Sequence, residues 1–336
     1  MNSAIIAIIV AFIGSFLLTP LVRKLAIKAG VIDQPSERRV HVTPTPRWGG
    51  LAIYIAFIAA VIIAVKLDPH VGINKQMLGV LLGGTVIAIA GMLDDKYDFP
   101  PYAQILAILA GGAVLVYFGG IVSYINKPIG PGYWWFKPWL AIPLTLIWIF
   151  GVTKTVDLMD GLDGLAAGIC AIAAATLFVM SLQALGSIHS VIIPTAQSAD
   201  RVRLFTTVLI LSGALLGASL GFLRLNYPPA KIFMGTVGAQ FMGFVLASAS
   251  VIGAFKVSTL VAMAVPLLVL AIPILDTAFV IVSRAIRGTK VYEADKSHVH
   301  HRLLQRGLSQ KQTIWVIYLL TASLSALGLV MFWYLK

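Results

Sequence analysis

The sequence predicts an all-α, polytopic integral membrane protein of about ten transmembrane helices with its chemistry gathered at the cytoplasmic face. Three observations predict it. The chain is 59% hydrophobic and 11% charged, with a mean hydropathy of +0.93, whereas a soluble domain carries about 25% charge. Ten stretches long enough to consider as spans contain no Asp, Glu, Lys or Arg. Of the 13 acidic residues, six fall in two short segments that each follow an apolar run: Asp94-Asp95-Lys96-Tyr97-Asp98 and Asp157-Leu-Met-Asp160-Gly-Leu-Asp163-Gly-Leu165.

The ten stretches are 3–22, 48–65, 76–93, 99–126, 138–153, 164–199, 204–223, 232–255, 257–275 and 312–335. A crossing helix needs about 20 residues. On that measure 138–153 is marginal, and 99–126 and 164–199 are long enough to include part of a loop. The stretch from Val257 continues past Asp276 to Val282, because Val280-Ile281-Val282 is still apolar. No basic segment precedes the first apolar stretch and no cleavage site follows it, so it reads as a retained span. The lone Cys170 lies in an apolar run, which excludes a disulfide within the chain. The whole, 1–336, reads as one transmembrane domain.

Ten crossings put both ends on one side. Of 25 Lys and Arg, 17 lie in 23–47, the loops that carry the two acidic segments (with Lys96 and Lys154), 224–231 and 284–311. The positive-inside tendency makes these loops cytoplasmic and both termini external. It also accounts for the net charge of +12 without a nucleic-acid partner. Ten acidic residues share the cytoplasmic side, while Asp68 and Asp200 lie opposite and Asp276 lies within a span. This convergence depends on 138–153 being a true crossing.

Outside, 126–137 carries Pro128, Gly130, Pro131 and Gly132 and then Tyr133-Trp-Trp-Phe136, which predicts a hairpin or turn in the interfacial aromatic belt. Inside, 23–47 includes Arg38, Arg39, His41 and Arg47, followed by Trp48-Gly49-Gly50. Its cations suit anionic headgroups or a phosphate, and its prolines and glycines predict a stiff segment pressed close to a ligand. The last inner loop holds His298, His300, His301 and Arg302. Three ligands so close on one helix cannot easily surround zinc tetrahedrally; phosphate contacts, acid–base work or a solvated polar helix are the other readings. Asp276, just after Pro273, is expected to pair with a cation or a freed backbone N–H, or to meet substrate. Pro266 and Pro273 predict a kinked span.

At helical spacing Asp157, Asp160 and Asp163 would lie near one face. Like charges so close repel, so a metal or basic side chains should compensate. Carboxylates, Mg²⁺ and basic groups together suit phosphoryl chemistry on a diphosphate, and the membrane suggests that one reactant is a lipid. An ion-coupled transporter is the rival, but its sites usually lie near the midplane.

Gly91-Met-Leu-Asp-Asp-Lys-Tyr-Asp98, Asp157 through Leu165, Ile232-Phe-Met-Gly235, His298-Val-His-His-Arg-Leu-Leu304 and His41 through Gly50 together resemble the polyprenyl-phosphate N-acetylhexosamine-1-phosphate transferases. The resemblance spans nearly the whole chain in the right order. The histidine motif is similar to that of the undecaprenyl-phosphate GlcNAc-1-phosphate branch, with the phospho-MurNAc-pentapeptide transferases more distant. The resemblance implies transfer of GlcNAc-1-phosphate from UDP-GlcNAc, or another UDP-N-acetylhexosamine, to undecaprenyl phosphate, with Mg²⁺ (or Mn²⁺) and release of UMP, in the priming of an envelope glycan. A homodimer is left open. Asp94, Asp95, His298, His300 and His301 would be catalytic, one of the two acids serving as a base for the lipid phosphate. Arg47, Lys154, Asp160, Asp163, Lys231 and Arg302 would bind substrate, and the lipid tail would lie along the span near Pro266 and Pro273.

The chain departs from the family pattern at specific positions. Two asparagines of the second motif are here Lys154 and Asp157, an acid after Phe-Met-Gly is Thr236, a serine is Ala239, and two lysines after the first motif are Tyr102 and Gln104. An acid lost at 236 and gained at 157 suggests that Asp157 takes over metal ligation with Asp95, and that Thr236 is a neutral partner; Lys154 would replace a lost lysine. The alternatives are a phospho-MurNAc-pentapeptide transferase of peptidoglycan synthesis and a homologue that binds lipid without catalysis.

Overall fold

The computed structural model describes residues 2–34, 43–68, 71–127, 132–189, 196–254, 271, 274–276 and 299–334. His41, His298, Pro266, Pro273 and most of the expected span 257–275 lie outside the described residues, as do the side chains of His300 and His301.

The described chain is a helical bundle. Its helices are α1 (Asn2–Lys28), α2 (Gly49–Leu67), α3 (Lys75–Tyr97), α4 (Pro101–Tyr117), α5 (Pro138–Met159), α6 (Leu165–His189), α7 (Ala196–Asn226), α8 (Gly235–Ala254), α9 (Val299–Gln305) and α10 (Gln310–Tyr334). Among the described residues, eight of these are long and apolar enough to cross a membrane, and α4, with 17 residues, is the shorter apolar helix. Each of nine expected stretches therefore contains a helix. The doubtful stretch 138–153 extends to 22 helical residues in α5, because Lys154 through Met159 continue the helix through its polar end. That makes it long enough for a crossing.

The packing is that of a membrane bundle, with small residues at the contacts. Ala4, Ala7, Ala11 and Ser15 of α1 are buried against α7, while Ile5, Ile9, Ile13 and Leu17 face outward. The α7 glycines 213, 217 and 221 make this possible: a Cβ on Gly217 would lie 2.2 Å from the Ile8 carbonyl oxygen. Helix α8 is the central one, 89% of its apolar window being buried against 28% for α1. It packs against α2, α3, α5, α6 and α7.

The turn-rich segment before α5 forms an antiparallel hairpin, β3 (Tyr124–Asn126) with β4 (Tyr133–Trp135), Tyr124 opposite Trp135. Trp134 and Trp135 are exposed, as an interfacial belt requires. A second two-residue pairing, β1 (Ile32–Asp33) with β2 (Thr45–Pro46), closes the described part of the first inner loop.

Candidate active site

The first acidic pair sits in the last turn of α3. The helix stops there because Asp98 is left-handed (φ 48°) and Pro100 and Pro101 follow. Asp94 and Asp95 are both buried. Asp94 accepts hydrogen bonds from the Phe99 N–H (2.9 Å) and from Gln104 Nε2 (3.1 Å to each oxygen). Asp95 reaches the start of α8, accepting from the Thr236 N–H at 2.8 Å and the Val237 N–H at 3.3 Å. It caps that helix from outside, where free N–H groups and the helix dipole favour an anion.

Glycines allow this approach. Gly235 is left-handed (φ 72°), and a Cβ on it would stand 2.3 Å from Asp95 Oδ2. A Cβ on Gly91, one turn earlier in α3, would lie 2.6 Å from Val237 Cα. The Trp48-Gly49-Gly50 segment is pressed against the start of α8. Gly49 and Gly50 donate to the Phe233 and Met234 carbonyls, and the Phe233 N–H donates to the Pro46 carbonyl. A Cβ on Gly50 would meet Gly238 at 2.1 Å. Arg47, just before, stands 3.4 Å from Asp33 and 3.8 Å from Asp98.

The second acidic segment is not one helical face, contrary to expectation. Helix α5 ends at Met159, Asp160 takes a non-helical conformation (ψ 51°), and Asp163 lies in the loop before α6. Gly161 and a left-handed Gly164 (φ 76°) break the helix there. That loop is held by Asn226, which accepts from the Gly164 N–H at 3.0 Å and donates to the Ile232 carbonyl at 3.0 Å. Tyr318 donates to the Gly164 carbonyl at 2.5 Å. Asp163 accepts from the Ala230 N–H at 2.9 Å. Lys231 is exposed on the same connection, its carbonyl bonded to Arg23.

The two segments meet through a chain of polar side chains. Lys154 Nζ donates to Asp157 Oδ2 at 2.5 Å and to Gln104 Oε1 at 2.7 Å, and Gln104 in turn holds Asp94. Gln240, one turn beyond Thr236 on α8, lies 3.4 Å from Asp157 Oδ2. Position 236 therefore shares a helix face with a residue that touches Asp157. Asp160 is partly buried and accepts no hydrogen bond from the described residues. Desolvation, then the Asp157 and Asp95 charges, push its carboxyl up to about 7, against the pull of Arg47.

Asp94, Asp95, Lys154, Asp157, Asp160 and Thr236 are thus brought together, with Arg47 close enough to act on Asp160. Arg302 lies 3.6 Å from Asp276, whose Oδ1 also accepts from the Val299 N–H at 2.7 Å. Of the roles left open for Asp276, both kinds of pairing are realised. Gln240 and Asn226 were missed. Their signal was faint: a lone amide in a helix of small and apolar residues, and an asparagine where a long apolar helix ends.

Among the described residues no three of His, Cys, Asp and Glu stand close enough to enclose one ion. Mg²⁺, however, takes one or two carboxylates and completes its shell with water and substrate phosphate. Asp160, with unspent lone pairs and a carboxyl destabilised as an anion, fits that demand. So does Asp157 Oδ1, since its hydrogen bonds fall on Oδ2.

A multi-pass apolar bundle thus gathers carboxylates, an ammonium and a guanidinium at one end. The chain belongs to glycosyl transferase family 4, whose family model matches residues 77–254. It is 37% identical over 330 residues to a probable undecaprenyl-phosphate N-acetylglucosaminyl 1-phosphate transferase of Bacillus subtilis (strain 168), covering 95% of this chain and 84% of the relative. It is 35% identical over 324 residues to a decaprenyl-phosphate N-acetylglucosaminephosphotransferase of Mycobacterium leprae, covering 92% and 79%. An undecaprenyl-phosphate alpha-N-acetylglucosaminyl 1-phosphate transferase of Escherichia coli (strain K12) is 26% identical over 335 residues, covering 95% and 82%.

Proposed function

We propose that this chain transfers N-acetylglucosamine 1-phosphate from UDP-GlcNAc to a polyprenyl phosphate, with undecaprenyl phosphate the acceptor, in the bacterial plasma membrane. A lipid phosphate oxygen attacks the sugar-bearing phosphorus. The bond from that phosphorus to the bridging oxygen breaks, and UMP leaves. The observation that carries this reading is the meeting of Asp94–Asp95 and Asp157–Asp160 around Lys154 at the N-terminus of α8, at one end of an apolar bundle.

The acceptor phosphate is already an anion, so its attack needs little base assistance. Asp95, held by two backbone N–H groups, stays oriented toward the start of α8 and is the candidate base for a residual proton. Lys154 and Arg47 offset the charge of the diphosphate, with Lys231 and the histidines of 298–301 as further phosphate contacts. Asp163 is a positioning residue that fixes the loop carrying Asp160. A divalent cation, Mg²⁺ or Mn²⁺, would be held by Asp160 and Asp157, with Asp95 and Thr236 beside it. When bound it would neutralise phosphate charge and make the sugar-bearing phosphorus more electrophilic. The charge distribution of the loops supports a cytoplasmic site with both termini outside.

The test is UMP release by the purified protein with undecaprenyl phosphate and Mg²⁺ across a panel of UDP-sugars, with Asp95→Asn as control. Release that requires the lipid, one donor and Asp95 is expected. Absence of release with every donor, from folded protein, would favour the non-catalytic lipid-binding homologue.

A further inference from the structure

Gln104, Lys154 and Asp157 form one hydrogen-bonded group. Lys154 Nζ binds Asp157 Oδ2 at 2.5 Å and Gln104 Oε1 at 2.7 Å, and Gln104 Nε2 binds Asp94 at 3.1 Å. A carboxylate and an amide oxygen receive the Lys154 ammonium. Lys154 is anchored on α5, Gln104 on α4 and Asp94 on α3, so the ammonium is fixed by three helices.

An ammonium has three donors, and the described residues use two. The side chain is 27% exposed, so a ligand entering from the aqueous end can reach the third. An unpinned lysine loses rotamer freedom when it closes on a phosphate, and that cost is already met here. The group thus places an ammonium, already paired with Asp157 and with one N–H to spare, beside the carboxylates assigned to the cation.

We propose that Lys154 is a resident cation for the donor's diphosphate, carrying part of the charge compensation that a divalent ion would otherwise supply. Uridine diphosphate then binds this chain measurably in the absence of metal. The inference rests on the nucleotide-sugar reading above and deepens it: the metal dependence of nucleotide binding is set by a side chain of this chain.

The test is calorimetric titration of UDP into the full-length protein in detergent, with Mg²⁺ and with EDTA. Wild type is expected to lose no more than about tenfold in affinity in EDTA. Lys154→Met should bind UDP in Mg²⁺, which also reports that it is folded, and lose a further ten- to hundredfold or so in EDTA, the range for one hydrogen bond to a charged group. Gln104→Leu keeps the ammonium but releases it from α4, and should lose severalfold in EDTA. Equal EDTA sensitivity in wild type and Lys154→Met, or wild-type binding that EDTA abolishes, overturns the resident cation while leaving the nucleotide reading intact. No UDP binding by wild type in either buffer overturns both.

Discussion

Replacing Gly235 by alanine should disable the site through a single methyl group. The residue is left-handed, at φ 72°, and a Cβ there would stand 2.3 Å from Asp95 Oδ2. Ordinary contact begins near 3.4 Å, so roughly 1 Å of separation must be found. Moving the carboxylate that far stretches its bonds to Thr236 N–H and Val237 N–H, now 2.8 and 3.3 Å, beyond useful length. Left-handed strain costs about 1–2 kcal/mol and each bond to a charged group about 1.5–3 kcal/mol, giving about 4–8 kcal/mol before relaxation. Part will be recovered by a shift of the α8 start, so the expected result is a folded protein with a lowered melting temperature and at least a hundredfold loss of UMP release. The assays are thermal unfolding in detergent and UMP release on the same preparation. Wild-type values in both for Gly235→Ala would refute the close packing of α3 against α8 and the role given to Asp95.

Other outcomes follow from the same geometry. Asn226→Ala leaves the Gly164 N–H and the Ile232 carbonyl buried without their partner, which should cost about 2–5 kcal/mol, read as a lower melting temperature; an unchanged one means the clamp is not loaded. Asp157→Asn should weaken Mg²⁺ binding about tenfold or more, and adding Thr236→Asp, on the helix face that reaches Asp157, should recover it. Calorimetric Mg²⁺ affinities unchanged in the single mutant would remove Asp157 from the metal site. The Asp160 carboxyl titrates near 7 in the fold and near 3.9 in an unfolded chain. Its contribution to stability is therefore full below about pH 4 and lost as pH rises through about 7. Metal-free protein should show a melting temperature that falls across that window more steeply than Asp160→Asn does; parallel profiles would show that Asp160 is not buried as an anion.

Much of this was legible in the residues because membrane proteins write their plan in composition. Long runs without charge mark the helices, and the few acids could hardly be scattered at random among them. The expected convergence of Asp94–Asp95 with Asp157–Asp160 is realised because α5 continues to Met159 and so brings its polar end level with that of α3. What was not legible depended on contacts between distant segments. The glycines of Trp48-Gly49-Gly50 announced a close approach, but not that they serve the approach of α2 to α8. The Asp157–Asp163 spacing looked helical, but Gly161 and Gly164 outweigh it and end the helix. The pairing of Lys154 with Gln104 joins residues 50 apart, which no local pattern announces. Arg302 was assigned to substrate from its place beside the histidines, while its ion pair with Asp276 comes from the burial of that carboxylate in the bundle.

The central claim, transfer of a phosphosugar to a lipid phosphate, is tested most directly by UDP-GlcNAc labelled in its β-phosphate. The protein, undecaprenyl phosphate and Mg²⁺ are incubated with this donor, and the organic and aqueous phases are separated. The account predicts label in the lipid phase and unlabelled UMP in the water. Label remaining in water-soluble nucleotide, with sugar alone or nothing in the lipid phase, would contradict it.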